Sequence, residues 1–168
     1  MSRQHLDPTR TPWHITWGTY GTRLHGSYRP TVDRAHNKLG DPFITRDKDR
    51  QRTASAIMNF TPLMLTLEQR SCLETTLADI CDRGGWTHRI CAAEVDHIHL
   101  LCDVHPDIHG KEVRALAKRW AGELLSAIWP LENCATWWAE GGSNKAIREE
   151  RYLVNAYNYI LRQRLTPL

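Results

Sequence analysis

Asp96-His97-Ile98-His99-Leu100-Leu101 is the stretch on which the reading of this chain turns. Residues i and i+2 of a β-strand project from the same face. His97 and His99 therefore stand side by side, while Ile98 and Leu100 face the core on the other side. Two imidazoles on a rigid strand can hold a divalent metal ion. A pair of surface or hydrogen-bonded histidines is the plainer alternative, and this stretch alone leaves both open.

Working outward, Trp86 to Ala93 and Glu94 to Asp103 read as two strands with a short connection, so they are expected to pair as neighbours. Upstream, Thr66 is a candidate N-cap for a helix that runs to about Arg83 and stops at Gly84-Gly85, with Leu73, Leu77 and Ile80 as its apolar stripe. Downstream, His109 to Ile128 is a helix ended by Trp129-Pro130, with Val113, Ala117, Trp120, Leu124 and Ile128 on its buried side. Cys134 to Glu140 then reads as a short strand before the turn Gly141-Gly142-Ser143. Near the start, Trp13, Ile15 and Trp17 alternate with His14 and Thr16, the pattern of a half-buried strand. The stretch 20–61 is read as a long, irregular surface loop; between Arg23 and Arg52 it holds eight Lys or Arg against four Asp. The resulting order, βαββαβ, is the ferredoxin-like arrangement: an α+β fold with an antiparallel sheet and both helices on one face.

A further segment follows that order. From Ser143 to Thr166 there is neither Gly nor Pro, and a last helix is expected from about Arg148 to Arg164. At helical spacing Tyr152, Asn155, Tyr159 and Gln163 share one face, and Tyr157 points nearly the opposite way. A tyrosine with an amide one turn later suits a nucleophile beside a metal ligand. An aromatic helix packing its rings into the core is the other reading.

At 168 residues the chain reads as one domain, 1–168, with a core of useful size. Its formal charge of +3 permits nucleic-acid binding without requiring it. Cysteines 72, 81, 91, 102 and 134 contain no C-x-x-C pair and lie mostly in apolar patterns. They read as buried thiols of a cytoplasmic protein rather than a disulfide framework or zinc site. No apolar run is long enough to cross a membrane, and the N-terminus lacks a signal-peptide profile.

Three motifs together carry a resemblance. Asp96-His-Ile-His-Leu-Leu resembles the HUH strand of single-tyrosine transposases, the group of the smallest insertion-sequence enzymes and the REP-associated tyrosine transposases. Trp13-His14-Ile15-Thr16-Trp17 is similar to that family's opening strand, and Tyr159-Ile160-Leu161-Arg162-Gln163 to its terminal Tyr-Ile-x-x-Gln helix. The resemblance implies a single-strand DNA endonuclease and strand transferase with Tyr159 as nucleophile. It also implies that His97, His99 and Gln163 bind Mg²⁺ or Mn²⁺. Glu94 is a further candidate ligand, although strict alternation puts it on the opposite face and a bulge would be needed. The expected partner is single-stranded DNA, folded as a hairpin, with a homodimer favoured over a monomer. The 20–61 loop is longer than in the compact insertion-sequence enzymes and leans toward the REP-associated branch.

The chemistry follows from the residue types. A free phenol has a pKa of about 10 and is a poor nucleophile at neutral pH. A metal ion beside it would polarise the scissile phosphate and help the 3′-oxygen leave. Lys111, Arg114, Lys118, Arg23 and Arg29 are candidates for holding phosphates, and Trp138 for stacking on an unpaired base. Two other function classes fit the same residues: a domesticated hairpin-binding protein that no longer cuts, and a hydrolase that uses water as nucleophile.

Overall fold

The computed structural model describes residues 5–22, 46–132 and 135–165. Among these, four strands form one sheet: β1 (Thr11–Gly18), β2 (Thr87–Ala93), β3 (His97–Val104) and β4 (Ser143–Ala146). The strand order is β2-β3-β1-β4, and every neighbouring pair is antiparallel. The helices are α1 (Lys48–Ala56), α2 (Leu67–Arg83), α3 (Gly110–Ile128) and α4 (Glu150–Leu161). The fold is mixed α and β, and among the described residues no helix is long and apolar enough to cross a membrane.

Alternation in β1 sorts the two faces of the sheet. Trp13, Ile15 and Trp17 enter a core with Ile98, Leu100 and Cys102 of β3, roofed by Leu73, Leu77 and Ile80 of α2 and Val113, Ala117 and Trp120 of α3. The start of α2 is closed by a capping box. The Thr66 hydroxyl accepts from the Gln69 N–H, and the Gln69 amide reaches back to the Thr66 N–H. Gly84 follows its last turn, and Gly85, at φ +68°, takes the left-handed conformation that glycine adopts without strain.

On the opposite face α4 packs Leu153, Ala156, Tyr157 and Ile160 against Ile90 and Ala92 of β2 and Leu101 of β3. Fully burying each such large side chain stabilises the fold by about 1.5–3 kcal/mol. The chain beyond α4 is tied around the free edge of β2. Buried Glu74, on α2, accepts hydrogen bonds from the Ala93 and Leu165 N–H groups at 3.1 and 3.0 Å. The Arg164 guanidinium donates to the Cys91 carbonyl at 2.9 Å. These bonds use backbone groups of an edge strand and fix the end of α4 over the sheet.

Three expectations from the sequence need correction. The stretch 20–61 is not wholly irregular, because Asp47 caps α1 within it; that helix buries no side chain, so no hydrophobic stripe announces it. The buried side of α3 continues through Ala121 and Leu125 rather than Leu124 and Ile128, and Ile128 is 52% exposed. Next to Ala121, Trp138 approaches Gly122 closely, and a Cβ there would lie 3.1 Å from its indole nitrogen. Finally, the fourth strand is Ser143–Ala146, not 134–140. Trp137 and Trp138 are both buried, and both indoles bond to α3, Trp137 to the Ser126 hydroxyl and Trp138 to the Lys118 carbonyl. Neighbouring residues of a regular strand point to opposite faces, so two consecutive rings under one helix require a different backbone path. Among the described residues there, a single bridge forms, Thr19 to Trp138, and Cys134 lies outside them.

Candidate active site

The site is built on the first three residues of β3. His97 and His99 both project toward the α4 side, with Ile98 buried beneath them. Their Nε2 atoms are 3.0 Å apart, and the rings are nearly perpendicular, at 86°. Each ring is held at its other nitrogen. His97 Nδ1 meets the carboxylate of Asp96 at 2.6 Å, and Asp96 is only 2% exposed. His99 Nδ1 lies 2.9 Å from the Thr16 hydroxyl and 3.1 Å from His14 Nε2. Antiparallel pairing brings these groups together, since Thr16 sits directly opposite His99 in the register of β1 and β3.

The pair suits a metal ion. Two ligands at right angles, with metal–ligand bonds of about 2.1 Å, are separated by about 3.0 Å. An anchored Nδ1 fixes each ring orientation, the usual support for a histidine ligand, and turns the two Nε2 atoms toward each other at hydrogen-bond distance, a contact that an ion would replace. Among the described residues no cluster of three His, Cys, Asp or Glu side chains could hold an ion. Among side chains of other types, Gln163 is the candidate for a third ligand. Gln163 qualifies chemically: its amide oxygen is buried and accepts no hydrogen bond among the described residues.

Tyr159 closes the site from α4. Its ring centroid lies 5.3 Å from that of His99, edge to face, and 6.5 Å from that of His14. The ring is 42% exposed, so a large substrate can approach it. Tyr157, two residues earlier, is buried in the core beneath α4, as helical spacing requires. His14 is the residue that sequence reasoning passed over. Burial first and the Lys145 ammonium second push its pKa down to about 4, so it is neutral at pH 7. The alternation of β1 already put His14 and Thr16 on the face opposite the tryptophans; only the register of β1 against β3 brings them to His99.

Other candidates are placed elsewhere. Glu94 lies in the turn between β2 and β3, and its carboxylate faces Arg70 of α2 at 3.5 Å rather than the histidines. The acidic partner of the pair is its near neighbour Asp96. Trp138 is a core residue, packed edge to face on Trp17 at 5.9 Å, and offers no surface ring to a base. Arg114 donates to the Gly142 carbonyl and the Asn144 side chain, both at 2.6 Å. Lys118 donates to the carbonyls of Ala139 and Gly141 at 2.7 and 3.0 Å. Burial lowers the pKa of both cations, in Lys118 with help from Arg114 and against Glu140. Their bonds brace the path into β4. Lys111, in the first turn of α3, is exposed. Arg23 and Arg29 lie outside the described residues.

The chain matches no known family model and no curated protein. Among solved structures it is similar to one from Deinococcus radiodurans R1, described as a candidate transposase. The identity is 14%, over 99% of this chain and 98% of that one, with a TM-score of 0.49. A likeness of that size carries no argument about chemistry, which rests on the geometry of the site.

Proposed function

We propose that this chain is a metal-dependent, transposase-like enzyme that nicks and rejoins single-stranded DNA through a 5′-phosphotyrosine on Tyr159. One observation carries the reading: within a single chain, an exposed phenol stands 5.3 Å, ring to ring, from one of two histidines whose Nε2 atoms are at the spacing of paired metal ligands. The sheet order β2-β3-β1-β4, with α2 and α3 on one face, supports the ferredoxin-like reading of the scaffold. The motif resemblance of these same residues supports the choice of DNA as substrate.

His97, His99 and Gln163 would hold Mg²⁺ or Mn²⁺. When bound, the ion neutralises charge on the scissile phosphate and eases departure of the 3′-oxygen. The Tyr159 oxygen attacks phosphorus, forming one O–P bond as the bond to the 3′-oxygen breaks. The proton lost by the phenol leaves to solvent, and the departing oxygen becomes a 3′-hydroxyl by taking one up. Because one phosphate ester replaces another, a second 3′-hydroxyl can reverse the step and rejoin DNA without an external energy source. Asp96, Thr16 and His14 keep the two imidazoles in a fixed orientation throughout.

The test is a denaturing gel of the protein incubated with labelled hairpin-bearing single strands and Mn²⁺. A covalent protein–DNA adduct is expected from the native chain and from Tyr152→Phe and Tyr157→Phe, and none from Tyr159→Phe. An adduct that persists in Tyr159→Phe overturns the assignment. Cleavage without any adduct would indicate water as nucleophile, and binding without cleavage a hairpin-binding protein.

A further inference from the structure

One row on the exposed side of α4, which also exposes Glu150, Arg151 and Leu161, has a composition unlike that of a merely solvated helix face. Arg148, just before the helix, and then Tyr152, Asn155, Tyr159 and Arg162 follow one another at steps of four, three, four and three, and all five are exposed. That spacing puts Tyr152, Asn155, Tyr159 and Arg162 in one row along the helix, while Arg148 precedes the extended N-cap Glu149. The row contains two aromatic rings, an amide and a cation, with neither a carboxylate nor an aliphatic side chain. Beside it, on the edge strand β4, Lys145 places its ammonium over one face of the Tyr152 ring, 5.6 Å from its centre, and a base would take the other face. Lys145 is paired with His14 in the register of β4 and β1, so it belongs to the same face as the histidine site. Of the two acidic residues at the helix start, the N-cap Glu149 is exposed three residues before Tyr152, and Glu150 is turned toward His5 and the Leu6 N–H, at 3.2 and 3.4 Å.

These observations define a track rather than a point. Tyr152 and Tyr159 are seven residues apart, about 10.5 Å along the axis at the helical rise. Flat exposed rings with cations beside them are what an unpaired nucleic-acid strand requires: stacking surface for bases and positive charge for the phosphates. A duplex hides its base faces and would use only the cations. Of the five cations expected from the sequence to perform this role, Arg114 and Lys118 are occupied with backbone carbonyls, Lys111 is exposed on α3, and Arg23 and Arg29 lie outside the described residues.

We infer that Lys145 and Tyr152 form a binding subsite for one unpaired nucleotide, phosphate on the ammonium and base on the ring, on the strand that leads to Tyr159. The inference deepens the proposed function and rests on it for the identity of the ligand. Its occupant is single-stranded DNA flanking the scissile phosphate, held two helical turns from the reacting phenol.

Equilibrium binding of a fluorescent single-stranded oligonucleotide to the whole chain, in EDTA so that no cleavage occurs, tests the subsite. Tyr152→Ala is expected to weaken binding roughly 5- to 150-fold, the range for loss of one stacked base. Tyr152→Phe keeps a ring and should bind as the native chain does. Lys145→Gln should lower the salt dependence of log K by about 0.7, the value for one phosphate contact on a single strand, and Lys145→Arg should restore it. Affinity for a blunt duplex should not respond to Tyr152→Ala. Native affinity in both Tyr152→Ala and Lys145→Gln would overturn the subsite, as would equal losses on single strands and duplex. The Mn²⁺ adduct assay on the same preparations separates the two ideas. An adduct with unaffected binding leaves the proposed function standing and removes the subsite. Ring- and charge-dependent binding with no adduct does the reverse.

Discussion

The two faces of the sheet share the same strands and differ in almost every other respect. Under α2 and α3, Trp13, Ile15, Trp17, Ile98, Leu100 and Cys102 make a continuous apolar core. On the reverse, the same two central strands present His14, Thr16, His97 and His99, and α4 seals only the neighbouring apolar positions Ile90, Ala92 and Leu101. One side of each strand is committed to stability, and the other carries polar groups that α4 borders without burying Tyr159. The contrast shows how a small domain can hold reactive side chains precisely: they sit on strands whose opposite edges are locked by packing.

This contrast can be broken or sharpened on a single strand. Leu100→Ala should give the largest effect, a loss of about 2–5 kcal/mol in chemical denaturation, because it opens a cavity in a close-packed core. A smaller loss with unchanged cooperativity would mean that the α2 side is not the stabilising one. Three residues back, on the other face, His97→Ala should cost less stability than that, through loss of the Nδ1 partner of the buried Asp96 carboxylate. It should reduce DNA cleavage beyond the 10- to 100-fold that a supporting partner usually costs, while leaving hairpin binding nearly intact. Undiminished cleavage would make the histidines structural. Thr16→Val, which removes the hydroxyl beside His99 and keeps its shape, should lower cleavage or metal affinity by about 10- to 100-fold. A rate equal to the native one would show that His14 alone orients that ring. Smallest is Lys118→Ala. It should cost about 1–2 kcal/mol of stability through two lost carbonyl bonds, without changing the salt dependence of DNA binding. A shallower salt slope would return Lys118 to the DNA interface.

Cysteine chemistry separates along the same lines. Among the described residues all four cysteines are free, and Cys81, Cys91 and Cys102 are buried in the sheet and α2. Burial pushes the Cys91 thiol up to about 12, so it is an inert, protonated core group at neutral pH, as the apolar setting of the cysteines in the sequence indicates.

Much of the scaffold is legible from local rules. The N-cap at Thr66, the glycine stop after Arg83 and the strand alternation at Trp13 to Trp17 each depend on near neighbours, and each appears as read; the structure adds Gln69 to the cap as a capping box. So does the sorting of α4, with Tyr157 buried and Tyr152 and Tyr159 exposed. The fourth strand was not legible, because Trp137 and Trp138 look like strand residues until α3 arrives to take both rings. Nor were the duties of Arg114 and Lys118: a basic helix face looks the same whether it meets phosphate or the carbonyls of a chain segment some 20 to 30 residues away.

By itself the amino-acid order determined which residues share a face: His97 with His99, Tyr152 with Tyr159, and His14 and Thr16 opposite the tryptophans. Period two in a strand and 3.6 in a helix are properties of the local backbone. Only the tertiary structure decided which faces meet. The register of β1 on β3 brought Thr16 and His14 to His99, and the docking of α4 on β2 and β3 carried Tyr159 to the same place. Such meetings join residues some 60 to 85 positions apart and are settled by packing and pairing over the whole domain, which no local period encodes.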